Sequence, residues 1–260
     1  MKTVRKYGVL VISHGSRSAS WVKLVDEAVS AMRLSASLPV ECSFLESVAQ
    51  RMIQDGINRL EAQGITDLLV VPLFICAGSS HVAEIAWAFG ANPAFRGVSR
   101  LAPLRVQSVV HFLAPLDDDP EVAEMLLDNI RPLSVNSAKE VVLIVAHGSG
   151  GEDSQAKWQT VLGSLAGMLK TRGGFAHVEG ATLSTGEVPV VLRKWADLYP
   201  EADVIVVPFF LSEGYFTKTV IPAELVGFKC RYNGAALLPS PRLVKWLERR
   251  IADFWQEREG

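Results

Sequence analysis

Two histidines and a glutamate in the first third of the chain, His14, Glu46 and His81, are the side chains best suited to chemistry. Imidazole binds borderline divalent metals through a ring nitrogen and exchanges protons near neutral pH, and a carboxylate can share either task. None of the three adjoins another in sequence, so only a fold can join them. Small and polar residues surround them: Gly15, Ser16 and Arg17 follow His14, Gly78-Ser79-Ser80 precede His81, and Glu84 lies three residues beyond it. On a helix that last spacing puts Glu84 on the His81 face, where a carboxylate can orient the ring. Ser16, Arg17 and Ser80, with the N–H groups beside them, suit an anionic substrate. Plainer readings stand beside these. A histidine at a strand end also serves as a turn or cap, Gly15-Ser16 also relieve crowding where a strand turns into a helix, and Arg17 also suits a surface ion pair. His111 and His177 have no supporting cluster and read as structural.

The elements that must position these residues follow from periodicity. Gly8–Ser13 is a short, bounded, β-branched run and predicts a buried strand ending at His14. Trp21, Leu24, Val25, Ala28, Val29 and Met32 recur at three and four, a helical stripe. Val40–Leu45 predicts a second strand ending at Glu46, Ile53, Ile57 and Leu60 a second helix, and Leu68–Phe74 a third strand that Pro72 should stop. A short strand near 106–110 and a helix from Pro120 to Ile130, capped by the preceding aspartates, complete the unit. Strand alternating with helix is the rhythm of a parallel α/β sheet, whose ligands bind beyond the carboxyl ends of the strands. His14, Glu46 and His81 all fall at that edge.

The pattern then restarts after a polar stretch, 131–140. His14-Gly15-Ser16 returns as His147-Gly148-Ser149, Val70-Val71-Pro72-Leu73-Phe74 as Val206-Val207-Pro208-Phe209-Phe210, and the helix after Pro120 as one after Pro241. Three matches in one order predict an internal duplication: an α/β protein of two tandem half-domains, residues 1–136 and 137–260, each a parallel sheet flanked by helices. Trp158, Trp195 and Trp246 fall at helical positions and read as core or domain-contact residues.

Composition excludes several alternatives. The net charge of -2 gives no basic field for nucleic acid. No stretch approaches the roughly 18 apolar residues of a membrane span, and the first apolar run is too short for a signal-peptide core. Cys42, Cys76 and Cys230, odd in number and far apart, suggest neither a disulfide framework nor a thiolate zinc site. A cytoplasmic protein, monomer or homodimer, with no nucleic-acid or membrane partner is the expectation. The glycines form neither a dinucleotide fingerprint nor a phosphate-binding loop, so no organic cofactor is expected.

Leu10-Val11-Ile12-Ser13-His14-Gly15-Ser16-Arg17 resembles the opening motif of the class II tetrapyrrole chelatases. Ser43-Phe44-Leu45-Glu46, Val70–Gly78, Val207–Gly214 and Ile221-Pro222-Ala223-Glu224-Leu225 are similar to the same family, and the resemblance spans nearly the whole chain. It implies two lobes with a cleft between them and insertion of cobalt, iron or nickel into sirohydrochlorin, an intermediate towards cobalamin or sirohaem. The divalent metal is then a substrate and the tetrapyrrole the partner. It further implies that His14 is the first metal-binding, proton-accepting histidine and Glu46 its acidic assistant, with only one half still at work.

One position departs from the family pattern. Its second histidine lies eight residues after the strand-end proline, which is Ser80 in the first half and Phe216 in the second. His81 comes one residue late. Either His81 has taken over as the second catalytic and metal-binding histidine, with Glu84 behind it, or Ser80 has replaced it. The second outcome would favour a non-chelatase enzyme acting on another anionic metabolite. A tetrapyrrole-binding protein without turnover is the remaining alternative.

Overall fold

The computed structural model describes residues 5–259, apart from 36, 37, 94, 96 and 98, with side chains through residue 256. In the first half, strands β1 (Tyr7–Ser13), β2 (Val40–Phe44), β3 (Asp67–Pro72) and β4 (Val109–Phe112) alternate with helices α1 (Ala19–Ser30), α2 (Ile53–Ala62) and α3 (Ser80–Ala88), and α4 (Pro120–Ile130) follows. The second half repeats the plan with β5 (Glu140–Ala146), α5 (Glu152–Gly173), β6 (His177–Thr182), α6 (Glu187–Leu198), β7 (Asp203–Pro208), α7 (Ile221–Glu224), β8 (Cys230–Arg231) and α8 (Pro241–Glu259). The two sheets are parallel throughout and ordered β2-β1-β3-β4 and β6-β5-β7-β8. The two-sheet α/β architecture read from the repeat is thereby borne out.

Burial explains the strands. Leu10, Ile12 and Val70 are fully buried, packed with Ile57 and Leu60 from α2 and Ile85 from α3. Val141, Leu143 and Val206 do the same against Val188, Leu192 and Trp195 of α6. Central strands covered on both faces require continuous apolar runs, which is how the sequence reads there. β3 ends at Pro72, and Asp119 caps α4 by accepting the Glu121 N–H at 2.9 Å, with proline at the first helical turn.

The fourth strand differs from expectation: it lies at Val109–Phe112, not 106–110. The N–H groups of Gln107 and Ser108 donate to the Glu61 carboxylate at 2.7 and 2.9 Å, so they are spent before the ladder begins at Val109 opposite Asp67. The compact units group the helices after β4 and β8 otherwise than their order along the chain. One compact unit comprises Met1–Phe74, Ser80–Pro115 and Val244–Gly260, the other Ile75–Ser79 and Leu116–Leu243. Most of α8 therefore belongs to the first unit, where Tyr7 packs on Phe254 and Trp255, and α4 lies in the second.

In each sheet the strand order reverses between its first and third strands, β1/β3 and β5/β7. At that switch point the loops part and leave room for a ligand. The turn leaving β1 is held by two backbone bonds, Leu45 N–H to the Ser13 carbonyl at 2.9 Å and Glu46 N–H to the His14 carbonyl at 3.0 Å. It needs glycine: Gly15 has φ of 92°, and a β-carbon there would stand 2.0 Å from the Glu46 carbonyl oxygen. Gly148 has φ of 78°, but its β-carbon would meet side chains, those of Ser184 and Thr182. Gly15→Ala should cost on the order of 1–3 kcal/mol or more in denaturant melts and exceed Gly148→Ala, because a side chain gives way more easily than a carbonyl. Equal losses would contradict this.

Candidate active site

β1 delivers His14 to the carboxyl edge of the first sheet, β2 delivers Glu46, and the first turn of α3 delivers His81. The two imidazoles lie with ring centroids 4.8 Å apart and planes at 75°. Both are partly open to solvent, with side chains 40% and 38% exposed. His81, not Ser80, therefore brings a side chain to His14; Ser80 is the exposed first residue of α3.

The His14 Nδ1 lies 3.0 Å from the Gly15 carbonyl. A carbonyl only accepts, so Nδ1 carries the proton and Nε2 keeps its lone pair. The Glu46 carboxylate is 3.9 Å from the same Nδ1, too far for a hydrogen bond but close enough to stabilise a positive ring. Burial, and next the neighbouring His14, push the His81 imidazole below its ordinary value, while Glu84 and Glu46 pull the other way. His81 is thus neutral at neutral pH and can accept a metal or a proton.

Glu84 lies on the His81 face of α3, its Oε2 4.0 Å from Nδ1. It is buried and accepts hydrogen bonds from the Ser99 hydroxyl at 3.1 Å, the Leu101 N–H at 3.0 Å and the Arg100 N–H. Burial works to raise its pKa, but these donors outweigh it and hold the carboxyl below the usual range. Glu84 is thereby an anchored negative charge beneath the ring. Ser16 accepts the Ser18 N–H at 3.1 Å, next to the cap of α1. Arg17 is exposed and has no salt bridge among the described residues. Phe74, whose ring lies 6.5 Å from His81, was not singled out from the sequence, although it recurs as Phe210.

Among the described residues no group of three or more His, Cys, Asp or Glu side chains is arranged to hold a metal. Burial pushes the Cys42 and Cys76 thiols to about 12, so neither is a thiolate at neutral pH. His111 is paired with Asp67 at 2.9 Å, near the start of β3 and away from the site edge. His177 packs on Trp195 and Tyr199. No described helix is long and apolar enough to cross a membrane.

The second sheet repeats the frame without the full chemistry. Leu183 and Ser184 donate to the carbonyls of Ala146 and His147, both at 2.9 Å, and His147 Nδ1 lies 3.0 Å from the Gly148 carbonyl. Ser184 thus occupies the place of Glu46. The His147 ring meets Phe216 at 4.7 Å and 77°, nearly the geometry of His14 and His81. Phe216 therefore corresponds in space to His81, and the extra residue of the first half is absorbed between Pro72 and α3.

Residues 8–133 and 141–254 each match the model of the CbiX family. The chain is 25% identical to a sirohydrochlorin cobaltochelatase of Methanothermobacter thermautotrophicus over 132 residues, 48% of this chain and 92% of that protein. It is 22% identical to a sirohydrochlorin ferrochelatase of Priestia megaterium over 216 residues, 82% of this chain and 76% of that one. SirB from Bacillus subtilis, solved with Fe3+, superposes with a TM-score of 0.70 at 17% identity over 95% of both chains, which shows a shared fold. A small relative is thus matched almost whole by about half of this chain, and the family model matches twice in succession. The chain belongs to the CbiX family.

Proposed function

We propose that the protein is a metallochelatase that inserts a divalent metal ion into sirohydrochlorin or a closely related tetrapyrrole. The observation that carries this reading is the pair of half-exposed imidazoles of His14 and His81, brought together at the switch point of the first sheet. Membership of the family and the activities of its named relatives support it. The halves 1–136 and 137–260 are taken as the duplicated units, with the first one catalytic.

Insertion exchanges two pyrrole N–H protons for one dication, so the macrocycle must lose protons as it gains the metal. The Nε2 lone pair of His14 is kept free by the Gly15 carbonyl, and His81 is held neutral by burial. Each ring can donate to the incoming ion or take a pyrrole proton, and Glu46 offsets the charge of a protonated His14. Closed metal sites use four protein ligands. Two imidazoles leave positions open for the pyrrole nitrogens, so the ion is passed on and not retained. Ser16, Ser80 and Arg17 stand at the same edge to receive substrate carboxylates, and Glu84 acts as a positioning residue behind His81. The same donor set accepts cobalt, iron and nickel.

Insertion of cobalt(II), nickel(II) or iron(II) into sirohydrochlorin, followed by absorbance, tests the reading; a folded protein that inserts none of them overturns it. His14→Ala and His81→Ala should each lower kcat by about a hundredfold or more. Ser80→Ala should lose less than either; a Ser80 effect as large as that of His81 would return the role to the serine.

The pH dependence follows in sign from His81. Its value lies below the ordinary imidazole figure of about 6.5, so activity should persist through that pH and fall only in more acid solution, as the ring protonates. The unfolded chain takes up this proton first, so stability falls in the same direction. Glu84→Gln removes the charge that raises the His81 value, and the acid limb should move to lower pH. A limb that stays in place would show that Glu84 does not act on the ring.

A further inference from the structure

The second sheet has kept more than a vestige would need. Its switch-point turn has the same backbone bonds as the first, the same histidine-to-carbonyl contact at 3.0 Å, and a ring pair within 0.1 Å and a few degrees of the catalytic one. What differs is chemical: phenylalanine stands for the second imidazole and Ser184 for the carboxylate. Of this ring pair only His147 brings a nitrogen, and its open one is Nε2, since Nδ1 holds its proton against Gly148.

Around that donor the structure builds an aromatic surface. Phe216 stacks on Phe210 at 5.7 Å and 21°, and Tyr215 lies edge-on at 5.7 Å with 69% of its surface exposed. Residues Phe216–Val220 form a π turn, a rare geometry that is often found at functional sites. It is locked by the Tyr232 hydroxyl donating to the Thr217 carbonyl at 2.6 Å and by the Gly214 N–H donating to Thr217 Oγ1 at 3.0 Å. His147 itself is exposed.

One imidazole is a poor site for a hydrated dication. It is what a metal already held by four pyrrole nitrogens lacks, an axial ligand. We propose that the carboxyl edge of the second sheet binds a tetrapyrrole that already carries its metal, with His147 Nε2 as axial ligand and Phe216 and Tyr215 against the macrocycle. Binding exchanges an axial water for the imidazole; the lone pair of Nε2 forms the new bond and no proton moves. The inference rests on the tetrapyrrole reading of the first half and assigns the second half the metallated product.

Preformed cobalt(II) sirohydrochlorin, titrated anaerobically into wild type, His147→Ala and His81→Ala, tests this without requiring turnover. Absorbance reads affinity, and electron paramagnetic resonance reads an axial nitrogen through its splitting of the cobalt signal. Wild type and His81→Ala should show the axial nitrogen, and His147→Ala should lose it together with about tenfold or more in affinity. Tyr215→Ser should weaken binding while leaving the nitrogen signal intact. An axial nitrogen that survives in His147→Ala, or is absent from wild type, overturns the inference. Metal insertion by the same preparations separates the two readings. Insertion without a His147-dependent signal sinks this inference alone, whereas neither insertion nor binding of any tetrapyrrole sinks the parent reading with it.

Discussion

The Glu46 N–H bonded to the His14 carbonyl fixes the edge on which the first-half site depends. It carries the pairing of β1 and β2 past the strand ends and closes the turn over Gly15, where no β-carbon fits. His14 can then leave the sheet with its Nδ1 against the next carbonyl and its Nε2 free. On the other side of β1, the bond from Leu73 N–H to the Ile12 carbonyl at 2.7 Å holds the exit of β3, from which the chain reaches α3 and His81. Two rings are thus brought together by backbone, with no hydrogen bond between the rings themselves.

The same frame in two copies isolates what side chains add. Backbone bonds at the switch points agree within about 0.1 Å between the halves, while the side chains at 46, 81, 184 and 216 and the loop after the third strand differ. In the first half burial keeps His81 neutral while Glu84, pinned by residues 99–101, limits how far its affinity for protons falls. In the second, Phe216 fills the same place with a ring that can neither bind a metal nor take a proton.

Much of this was legible in the sequence because parallel strands buried on both faces must be apolar and must end abruptly. Pro72 and the glycine after His14 mark those ends, and the repetition of both motifs exposed the duplication. Which residue stands beside His14 was not legible. Counting from Pro72 leads to Ser80, because a count assumes loops of equal length, and only the path of residues 73–79 shows where the extra residue is taken up. Position 106–110 misled for a related reason: β-branched residues there suggest a strand, but a glutamate from α2 captures the N–H groups first. The exchange of α4 and α8 between compact units was equally hidden, since an amphipathic helix records that it packs and not on which sheet.

In the proposed mechanism His14 and His81 together receive the metal. X-ray absorption at the cobalt edge, on protein loaded with cobalt(II) alone, distinguishes the outcomes. Wild type should show scattering from two imidazoles at about 2.0–2.1 Å, and His81→Ala from one. An unchanged imidazole count in His81→Ala, or no imidazole around the cobalt in wild type, would contradict it.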